Sequence, residues 1–525
     1  MFAFALTQSN PAECDPENRP VPVDSGAPQS SESSPKHERN RGLAESVRFV
    51  HQNWLRLLAT SICVLIPCFW QREIASDDLA SHVYNAWLVQ LIHRGYAPGL
   101  WIAPLKTNVL FDWLLSGLGS FVRLRVAEKL AVSLAVLIFF WGVFALVTAT
   151  TRRAPWLLLP CIAMIAYGWT FYIGFFNYYL SLGLSFFALA IVWRGKGWER
   201  LIAAPLALAS LIAHPLGFLW LLGASIYLFF AERLRVRYHM ALLAAGSAVL
   251  LGVHRYLSHH YTVDPGAKPF WAYNGADQLV LFSERYHLPE RAILVFLLAA
   301  LAVDVIRRWR TRDSELPYAI PLQLYVLLWV AVILLPGAIH FPPPRAAIAL
   351  LTDRLTLILA VLACCLLGAM RPAKWHLVAS GAIAAVFFVF LWQDTRTINR
   401  MEAQIERLVR TLPSNQRVLA TVLPLPGSRI PIQHIADRAC IGHCFAYGNY
   451  EPGSRDFRVR AEPDNPYVLD DYELAVDVEE GTYVVQPEDL PVYQVYQCSN
   501  SGTELCSRSL TAGEENNRVG AYHDD

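Results

Sequence analysis

Long apolar runs recur along most of this chain, and they constrain its fold more than any other feature. Several have roughly the 17–25 residues that a helix needs to cross a bilayer. Charged residues make up 17% of the 525, and the mean hydropathy is +0.32, values unlike those of a disordered chain or a typical soluble enzyme. We therefore predict an α-helical polytopic membrane protein with about eleven transmembrane helices. The predicted spans are Trp54–Trp70, Leu130–Thr150, Trp156–Tyr172, Phe176–Trp193, Leu201–Ala213, Leu216–Phe230, Met240–Leu257, Ala292–Ile306, Tyr318–Ile339, Ala346–Met370 and Trp375–Trp392.

The loops between these spans alternate in charge, and this alternation predicts their orientation. Arginine and lysine collect in every second loop, beginning with Arg39, Arg41 and Arg48 before the first span. Because basic loops stay in the cytoplasm, we expect a cytoplasmic N-terminus and a multi-pass protein of the plasma (inner) membrane. The apolar segment Val109–Val122 would reverse this pattern if it crossed the membrane, so we predict a surface or re-entrant helix there.

Three regions follow from this topology. Residues 1–45 are rich in Pro, Ser, Glu and Asn and are expected to form a disordered cytoplasmic tail. Residues 46–392 are expected to form a transmembrane domain whose first outer loop covers 71–129, and residues 393–525 a small mixed α/β extracytoplasmic domain. The net charge of +1, without a basic patch interleaved with aromatics, indicates that nucleic acid is not a partner.

Cysteine usage agrees with an extracytoplasmic C-terminal region, because disulfides form in such compartments. Four cysteines lie in this region: Cys440, Cys444, Cys498 and Cys506. Their even number and spacing favour two local bridges, one between the first two and one between the last two. The alternative is a metal site in which His443 joins the first two cysteines with His434 nearby, although this spacing is looser than the usual zinc C-x-x-C.

Two adjacent carboxylates, Asp77 and Asp78, follow the first span where a crossing helix would leave the membrane. At helical spacing the polar residues share one face and the apolar residues another: Asp78, Ser81, His82 and Asn85 against Val83, Trp87 and Leu91. This pattern predicts a helix that lies on the membrane surface and turns its polar side toward a cavity. The alternative is an ordinary solvated helix whose acidic start is favoured by the helix dipole.

Further candidates are polar residues at the predicted outer side of the membrane, where ionisable groups are costly and often functional. The candidate substrate-binding residues are His82, Asn85, Asn108, Asp112, His214, His259 and Arg345. With the acid pair, they suit an anionic substrate carried by a membrane lipid, since arginine binds phosphate and a carboxylate can accept a proton. Structural roles are the alternatives: His214 could cap a broken helix, and Arg345 could reach the lipid interface. The adjacent Asp353 and Arg354 could compensate each other's charge.

The first loop resembles that of the GT-C superfamily, multispan glycosyltransferases that include protein O-mannosyltransferases and lipid A aminoarabinose transferases. The acid pair follows the first span and opens a juxtamembrane helix, a second surface helix follows at Thr107–Leu115, and an acidic turn at Val126–Leu130 leads into the second span. The resemblance covers residues 50–150 and is only topological as far as residue 392. Asn108 and Asp112 depart from it, because relatives commonly have Pro and Tyr there.

This resemblance implies a membrane glycosyltransferase that moves a sugar, with inversion, from a polyprenyl-phosphate donor to an acceptor on the extracytoplasmic face. Asp77 or Asp78 would take the proton of the acceptor hydroxyl or amide, and Arg345 and His214 would stabilise the leaving phosphate. Asp78 could instead bind a divalent metal such as Mg²⁺ or Mn²⁺, which only some branches of the family need. The implied partners are the lipid-linked donor, a glycan, lipid or protein acceptor, and membrane lipids. The alternative function is a polytopic transporter or lipid-intermediate flippase.

Overall fold

The computed structural model describes residues 35–517, except for 267, 312–318, 343–346, 371–372, 455, 464 and 499–503. The described part of the chain is mostly helical. Its α-helices are Pro35–Phe69, Asp77–His93, Leu110–Gly119, Leu124–Thr151, Leu159–Ala166, Trp169–Ile173, Phe176–Arg194, Ala204–Ala213, Pro215–Ala231, His239–His260, His287–Thr311, Ala319–Leu334, Leu351–Ala369, Lys374–Thr411, Asp437–Cys440, Tyr450–Ser454 and Tyr472–Glu480. The first helix begins at Pro35 and so includes the end of the predicted disordered tail, whose residues 1–34 lie outside the described residues.

Seven helical stretches within the described residues are long and apolar enough to cross a membrane, and each coincides with a predicted span. They are Arg48–Phe69, Leu124–Thr151, Trp156–Ile173, Phe176–Arg194, Val236–His260, Leu351–Ala369 and Lys374–Thr411. Two shorter apolar helices, Pro215–Ala231 and Ile320–Leu334, occupy two more of the predicted positions. The prediction of a helical protein with several membrane-spanning segments is confirmed, while the count of eleven and the orientation stay predictions.

The candidate spans differ in burial, and this difference separates central from peripheral helices. In Leu124–Thr151 and Leu351–Ala369, 78% and 83% of the most apolar window is buried. In Arg48–Phe69 and Val236–His260 the buried share is 6%. Because so much exposed apolar surface is stable only against an apolar surrounding, the second pair fits positions that face lipid.

The central contact joins Leu124–Thr151 to Phe176–Arg194 through small and aromatic residues. A Cβ added to Gly142 would lie 2.5 Å from the carbonyl oxygen of Gly183, so only glycine permits this approach. Beside it, the rings of Phe139 and Tyr179 stack with centroids 4.3 Å apart. Small residues at such contacts let membrane helices approach closely. The contact fixes Phe176–Arg194, whose first turn lines the candidate site.

Both helices predicted in the first loop are present, but the first is not a surface helix. It spans Asp77–His93 and is here called the acidic helix. Its predicted polar and apolar faces are both largely buried. The hydroxyl of Tyr84 accepts a hydrogen bond from the backbone N–H of Ala446 at 3.0 Å, and the ring of Trp87 lies 5.8 Å from that of Phe445. The acidic helix is therefore covered by the end of the chain, which the sequence pattern did not indicate.

The C-terminal region (412–517) contains most of the β-structure. The strands are β1 (Leu100–Ile102), β2 (Thr262–Asp264), β3 (Ala338–His340), β4 (Arg417–Thr421), β5 (Phe445–Ala446), β6 (Val459–Ala461), β7 (Val492–Gln497) and β8 (Leu505–Leu510). One sheet has the order β5-β4-β7-β8, in which β4 is parallel to both neighbours and β7 is antiparallel to β8. The predicted boundary at residue 393 falls inside the helix Lys374–Thr411, so the membrane part and this region share a continuous helix.

The first loop and the C-terminal region are joined by backbone pairing. Strand β1 of the loop pairs antiparallel with β6, with Leu100 opposite Ala461. Nearby, the guanidinium of Arg458 donates to the hydroxyl of Ser116 at 2.9 Å. Since both segments cover the same ends of the membrane helices, they form one layer, and the candidate site lies beneath it.

Candidate functional site

The acid pair lies at the start of the acidic helix. Asp77 and Asp78 are its first two residues, and the preceding Ser76 is extended. The hydroxyl of Ser76 donates to the carbonyl of Phe171 at 2.9 Å, which ties the helix start to the membrane part. Carboxylates in a first turn interact favourably with the helix dipole. The two carboxyl groups therefore lie at the N-terminal end of the acidic helix, beside the ends of the membrane helices.

The C-terminal region places His434 against the acid pair. This residue lies in a short 3₁₀ helix, Gln433–Ala436, and its backbone N–H donates to Oδ1 of Asp77 at 3.3 Å. Its imidazole Nε2 is 3.8 Å from Oδ1 of Asp78 and 4.0 Å from Oε1 of Glu479. The other ring nitrogen is 3.4 Å from Oδ2 of Asp437. Four carboxyl groups thus surround one imidazole.

Burial and mutual charge set the proton affinities of this cluster. Burial raises the pKa of the Asp77 carboxyl; the charge of His434 opposes this rise and that of Asp78 adds to it. Burial likewise raises the pKa of Asp78, against the attraction of His434. For His434 burial acts against the charged form, but the hydrogen bond to Asp437 and the surrounding carboxylates raise its pKa well above the ordinary value. The result is an imidazolium between carboxylates that bind protons more tightly than in water, as a general base requires.

A second group of side chains reaches the site from the membrane helices. Arg354, in the first turn of Leu351–Ala369, places its guanidinium 3.9 Å from the ring centroid of Phe175. No hydrogen-bond partner reaches its buried Nε within the described ranges. His214 ends one helix and caps the next, since its Nδ1 accepts from the backbone N–H of Leu216 at 3.1 Å. A buried guanidinium nitrogen without a partner is costly, so Arg354 is the strongest candidate for binding an anion.

These residues line a single cavity of about 290 Å³. Its polar lining consists of Asp77, Asp78, His82, Asn108, Asn177, His214, Arg354, Gln433, His434, Tyr450, Tyr472 and Glu479. Aromatic and aliphatic side chains complete the wall, among them Phe175, Phe176 and Leu350. The volume is near the lower limit for pockets that bind small molecules. The cavity therefore combines proton-accepting groups and an anion-binding group in one small space.

His82 forms a buried cluster at the edge of this cavity. Its Nδ1 lies 2.8 Å from Oδ1 of Asp112 and 3.9 Å from Oε1 of Glu451. The side-chain amide of Asn177 donates to the other oxygen of Asp112 at 2.8 Å. Burial disfavours the charged imidazole, but Asp112 outweighs it by charge and hydrogen bonding and raises the pKa of His82 to about 9. His82 is therefore an imidazolium at neutral pH.

The structure brings together most, but not all, of the residues predicted from the sequence. Asp77, Asp78, His82, Asn108 and His214 line the cavity, and Asp112 contacts it through His82. The remaining three do not: Asn85 accepts a hydrogen bond from Asn449 at 2.9 Å behind the site, His259 is exposed at a helix end, and Arg345 lies outside the described residues. His214 serves both as the predicted helix cap and as a lining residue.

Sequence reasoning missed three contributors to the site: His434, Glu479 and Arg354. The first two come from the C-terminal region, and nothing in the local sequence links them to the acid pair. Arg354 was interpreted as compensating Asp353, but that carboxylate instead lies 2.6 Å from Nζ of Lys268 and 3.0 Å from Nη2 of Arg429. The sequence does contain one indication that Arg354 is functional. It lies in the first turn of an apolar helix, and no acidic residue on its own face of that helix neutralises its charge.

The four cysteines of the C-terminal region pair as predicted. Cys440 is bonded to Cys444, and Cys498 to Cys506. The alternative metal site on the first pair is thereby replaced by a disulfide, and His443 hydrogen-bonds the carbonyl of Leu412 at 3.1 Å instead. The first disulfide directly follows the helical turn that carries His434, so it stabilises the segment that covers the acid pair.

One group of side chains in the described ranges has the geometry of a cation site. Ligand atoms of Asp77, Asp78 and His434 lie within 4.8 Å of one another. Carboxylate oxygens suit Mg²⁺, and Mn²⁺ also accepts imidazole. The donor set therefore fits the divalent metal considered at Asp78, with His434 as an additional ligand that the sequence did not predict. Because only a neutral imidazole coordinates a metal, binding there would release the proton of His434.

Comparison with known proteins identifies no relative. Neither protein-family models, nor curated proteins, nor solved structures gave a match.

Proposed function

We propose that this chain is a membrane glycosyltransferase of GT-C type, which transfers a sugar from a polyprenyl-phosphate donor to an acceptor on the extracytoplasmic face. The observation that carries this proposal is the shared cavity of the acid pair and Arg354. It pairs a proton acceptor with an anion-binding group at the mouths of apolar helices. A lipid-linked phosphate substrate needs both, together with access from the membrane.

The acid pair supplies the general base. An acceptor hydroxyl attacks the anomeric carbon of the donor sugar while its proton passes to Asp77 or Asp78. The bond between that carbon and the phosphate oxygen breaks, and the electron pair leaves with the lipid phosphate, so the configuration inverts. The charge of His434 favours the ionised form of both carboxyl groups, while burial raises their affinity for the incoming proton.

Arg354 takes the role that the resemblance assigned to Arg345. Its side chain lines the cavity, and its buried Nε–H, which has no partner among the described residues, can donate to a phosphate oxygen once the guanidinium turns toward it. The stacked ring of Phe175 holds the planar group in orientation. Charge that develops on the departing phosphate is thus stabilised by a donor that is already desolvated, where such a contact is strongest. His214 lines the same cavity and can contact the donor as well.

A divalent cation held by Asp77, Asp78 and His434 would add positive charge beside the phosphate. The tyrosines over the pair, Tyr450 and Tyr472, exclude water from the carboxyl groups and offer hydroxyl groups to the sugar. The proposed topology keeps about eleven spans and an extracytoplasmic C-terminal region, because the basic loops then all stay in the cytoplasm.

The test replaces each acid of the pair by asparagine, which keeps the side-chain size and removes the base. Cells lacking the gene are complemented with wild type, Asp77→Asn, Asp78→Asn or the double variant, and their cell-envelope glycans are compared by mass spectrometry. We expect at least one single variant, and the double variant, to lose transfer while reaching wild-type levels in the membrane.

A matched control exists in the same chain. Asp470 and Asp471 are also adjacent, exposed, and precede a helix, Tyr472–Glu480, but they do not line the cavity. Asparagine caps helices as well as aspartate does, so the control double variant should fold and keep transfer. Normal transfer by all three acid-pair variants would refute the assignment of the base. Substrate transport by the double variant would favour a transporter or flippase instead.

A further inference from the structure

A second and larger cavity lies on the other side of the acidic helix. Its volume is about 430 Å³. The walls come from the apolar face of the acidic helix, the start of Leu124–Thr151, the outer half of Lys374–Thr411 and the C-terminal segment around Arg438. The proposed glycosyl transfer uses none of the residues that line this cavity.

The lining carries both charges, with one more arginine than glutamate. Five arginines, Arg72, Arg123, Arg125, Arg410 and Arg438, face four glutamates, Glu73, Glu128, Glu402 and Glu406. Most of them pair; for example, Arg438 lies 2.5 Å from Glu402 and 3.1 Å from Glu128, both measured between nitrogen and carboxylate oxygen. The guanidinium of Arg123 is exposed, and no partner for it is found among the described residues. Such a lining favours a ligand that carries both charges over a simple anion.

Three buried polar atoms in this cavity lack partners in the described part of the chain. They are Oε2 of Glu128, Oε2 of Glu402 and Nε of Arg438. The three side chains are exposed by 1%, 9% and 10%, so bulk water does not solvate them freely. Leaving such atoms unpaired is costly. These atoms have almost no accessible surface, so a ligand reaches them only when the side chains turn toward the cavity. It must then offer a hydrogen-bond donor to the carboxylates and an acceptor to the guanidinium.

The position of the cavity indicates where this ligand comes from. It is bordered by the start of one candidate span, at Leu124, and by Arg72, which closely follows the end of another. Phe121, beside the lining residue Val122, is 89% exposed, and Val126 is 46% exposed. Apolar side chains this exposed at a helix mouth contact acyl chains, while neighbouring arginines lie at the depth of lipid headgroups.

We propose that this cavity binds the headgroup of a phospholipid that carries a primary amine beyond its phosphate. The phosphate accepts from Arg123, Arg125 and the Nε–H of Arg438. The amine donates to the unpaired oxygens of Glu128 and Glu402. The acyl chains lie against Phe121 and Val126.

A comparison of phosphatidylethanolamine with phosphatidylcholine tests this arrangement. Both lipids carry the phosphate, but only phosphatidylethanolamine has N–H groups that can donate to the glutamates. The full chain is reconstituted in nanodiscs with equal amounts of both lipids, bearing identical acyl chains, and extracted in mild detergent. Native mass spectrometry then measures the retained lipid. We expect about tenfold more retained phosphatidylethanolamine than phosphatidylcholine. Equal retention by the wild type overturns the proposal.

Variants locate the site. Arg123→Ala combined with Arg125→Ala should abolish retention of both lipids, whereas Arg94→Ala, an exposed arginine at the end of the acidic helix outside the cavity, should not change it. Glu402→Gln should keep retention but reduce the preference for ethanolamine. If a variant does not fold, the preference of the wild type for phosphatidylethanolamine over phosphatidylcholine still tests the proposal. Thermal stabilisation of lipid-free protein by inorganic phosphate alone, equal to that by phosphatidylethanolamine, would also overturn the proposal.

Discussion

Gly174 offers a sharp test of the geometry around the acid pair, because its backbone lies against that of Asp78. It has a φ of +99°, and a Cβ added there would lie 2.6 Å from Cβ of Asp78 and 2.7 Å from its backbone nitrogen. Such distances do not occur in folded proteins. Alanine at this position therefore has to displace the start of the acidic helix or its own loop.

The size of the effect follows from these distances. Ordinary contact begins at 3.4 Å, so the two Cβ atoms must separate by about 0.8 Å. Left-handed backbone costs a non-glycine residue roughly 1–2 kcal/mol, and overpacking roughly 1–3 kcal/mol more. A misplacement of about 1 Å in a reacting group can lower a rate on the order of a hundredfold. We expect Gly174→Ala to reduce transfer by that order and to lower the melting temperature.

The assay compares Gly174→Ala with Gly223→Ala in the purified chain and in complemented cells. Gly223 lies inside the helix Pro215–Ala231, and a Cβ there meets nothing within 4 Å. Alanine should stabilise that helix by roughly 1 kcal/mol without affecting transfer. If Gly174→Ala kept wild-type transfer and an unchanged melting temperature, the close contact between the backbones of Gly174 and Asp78 would be refuted. Lost transfer at a nearly unchanged melting temperature would show that displacement of Asp78 dominates over strain.

Three further predictions concern charged groups around the site. Arg354→Gln should lower transfer at least about a hundredfold, and Arg354→Lys less, since the charge remains; kinetics at varied donor concentration check this. The pKa of His82 rises from 6.5 to about 9 on folding, so its stabilising contribution is complete below pH 6.5 and is lost as the pH rises to about 9. The melting temperature of wild type should fall over this range, and that of Asp112→Asn should fall less; equal slopes would contradict the assignment. Asp353→Asn should weaken the links to Lys268 and Arg429 and destabilise the fold by about 3–5 kcal/mol, measured by thermal unfolding against wild type.

Much of the membrane part could be predicted from the sequence, because its signals are local. Length and hydropathy located the candidate spans, since a bilayer imposes one length on every crossing helix. Spacing alone was sufficient for both disulfides, because cysteines four and eight residues apart have few other partners within reach. The start of the acidic helix was predictable for the same reason: its acidic first turn lies next to an apolar periodic segment.

The composition of the site could not be predicted, because it depends on contacts between distant parts of the chain. His434 is separated from Asp77 by 357 positions, and no local pattern records their contact. The burial of the acidic helix also depends on contacts between distant parts of the chain. Pairing of β1 in the first loop with β6 places the C-terminal region over this helix. The expected charge compensation between Asp353 and Arg354 fails for a different reason. Consecutive helical residues point about 100° apart, so Asp353 and Arg354 face different surroundings despite being neighbours.

The arrangement of charge in the cavity makes the C-terminal region part of the chemistry rather than a separate module. The carboxyl groups of the acid pair would repel each other without the imidazolium of His434, and that residue is held by Asp437 within the same region. Arg354 contributes its positive charge from a membrane helix, independently of this region. Removal of the C-terminal region should therefore uncover the pair and lower its proton affinity, because burial raises the pKa of both carboxyl groups more than the charge of His434 lowers it, while Arg354 remains in place. A chain that only passed a substrate across the membrane would not need this cover, whereas a buried base does, because its proton affinity depends on the exclusion of water.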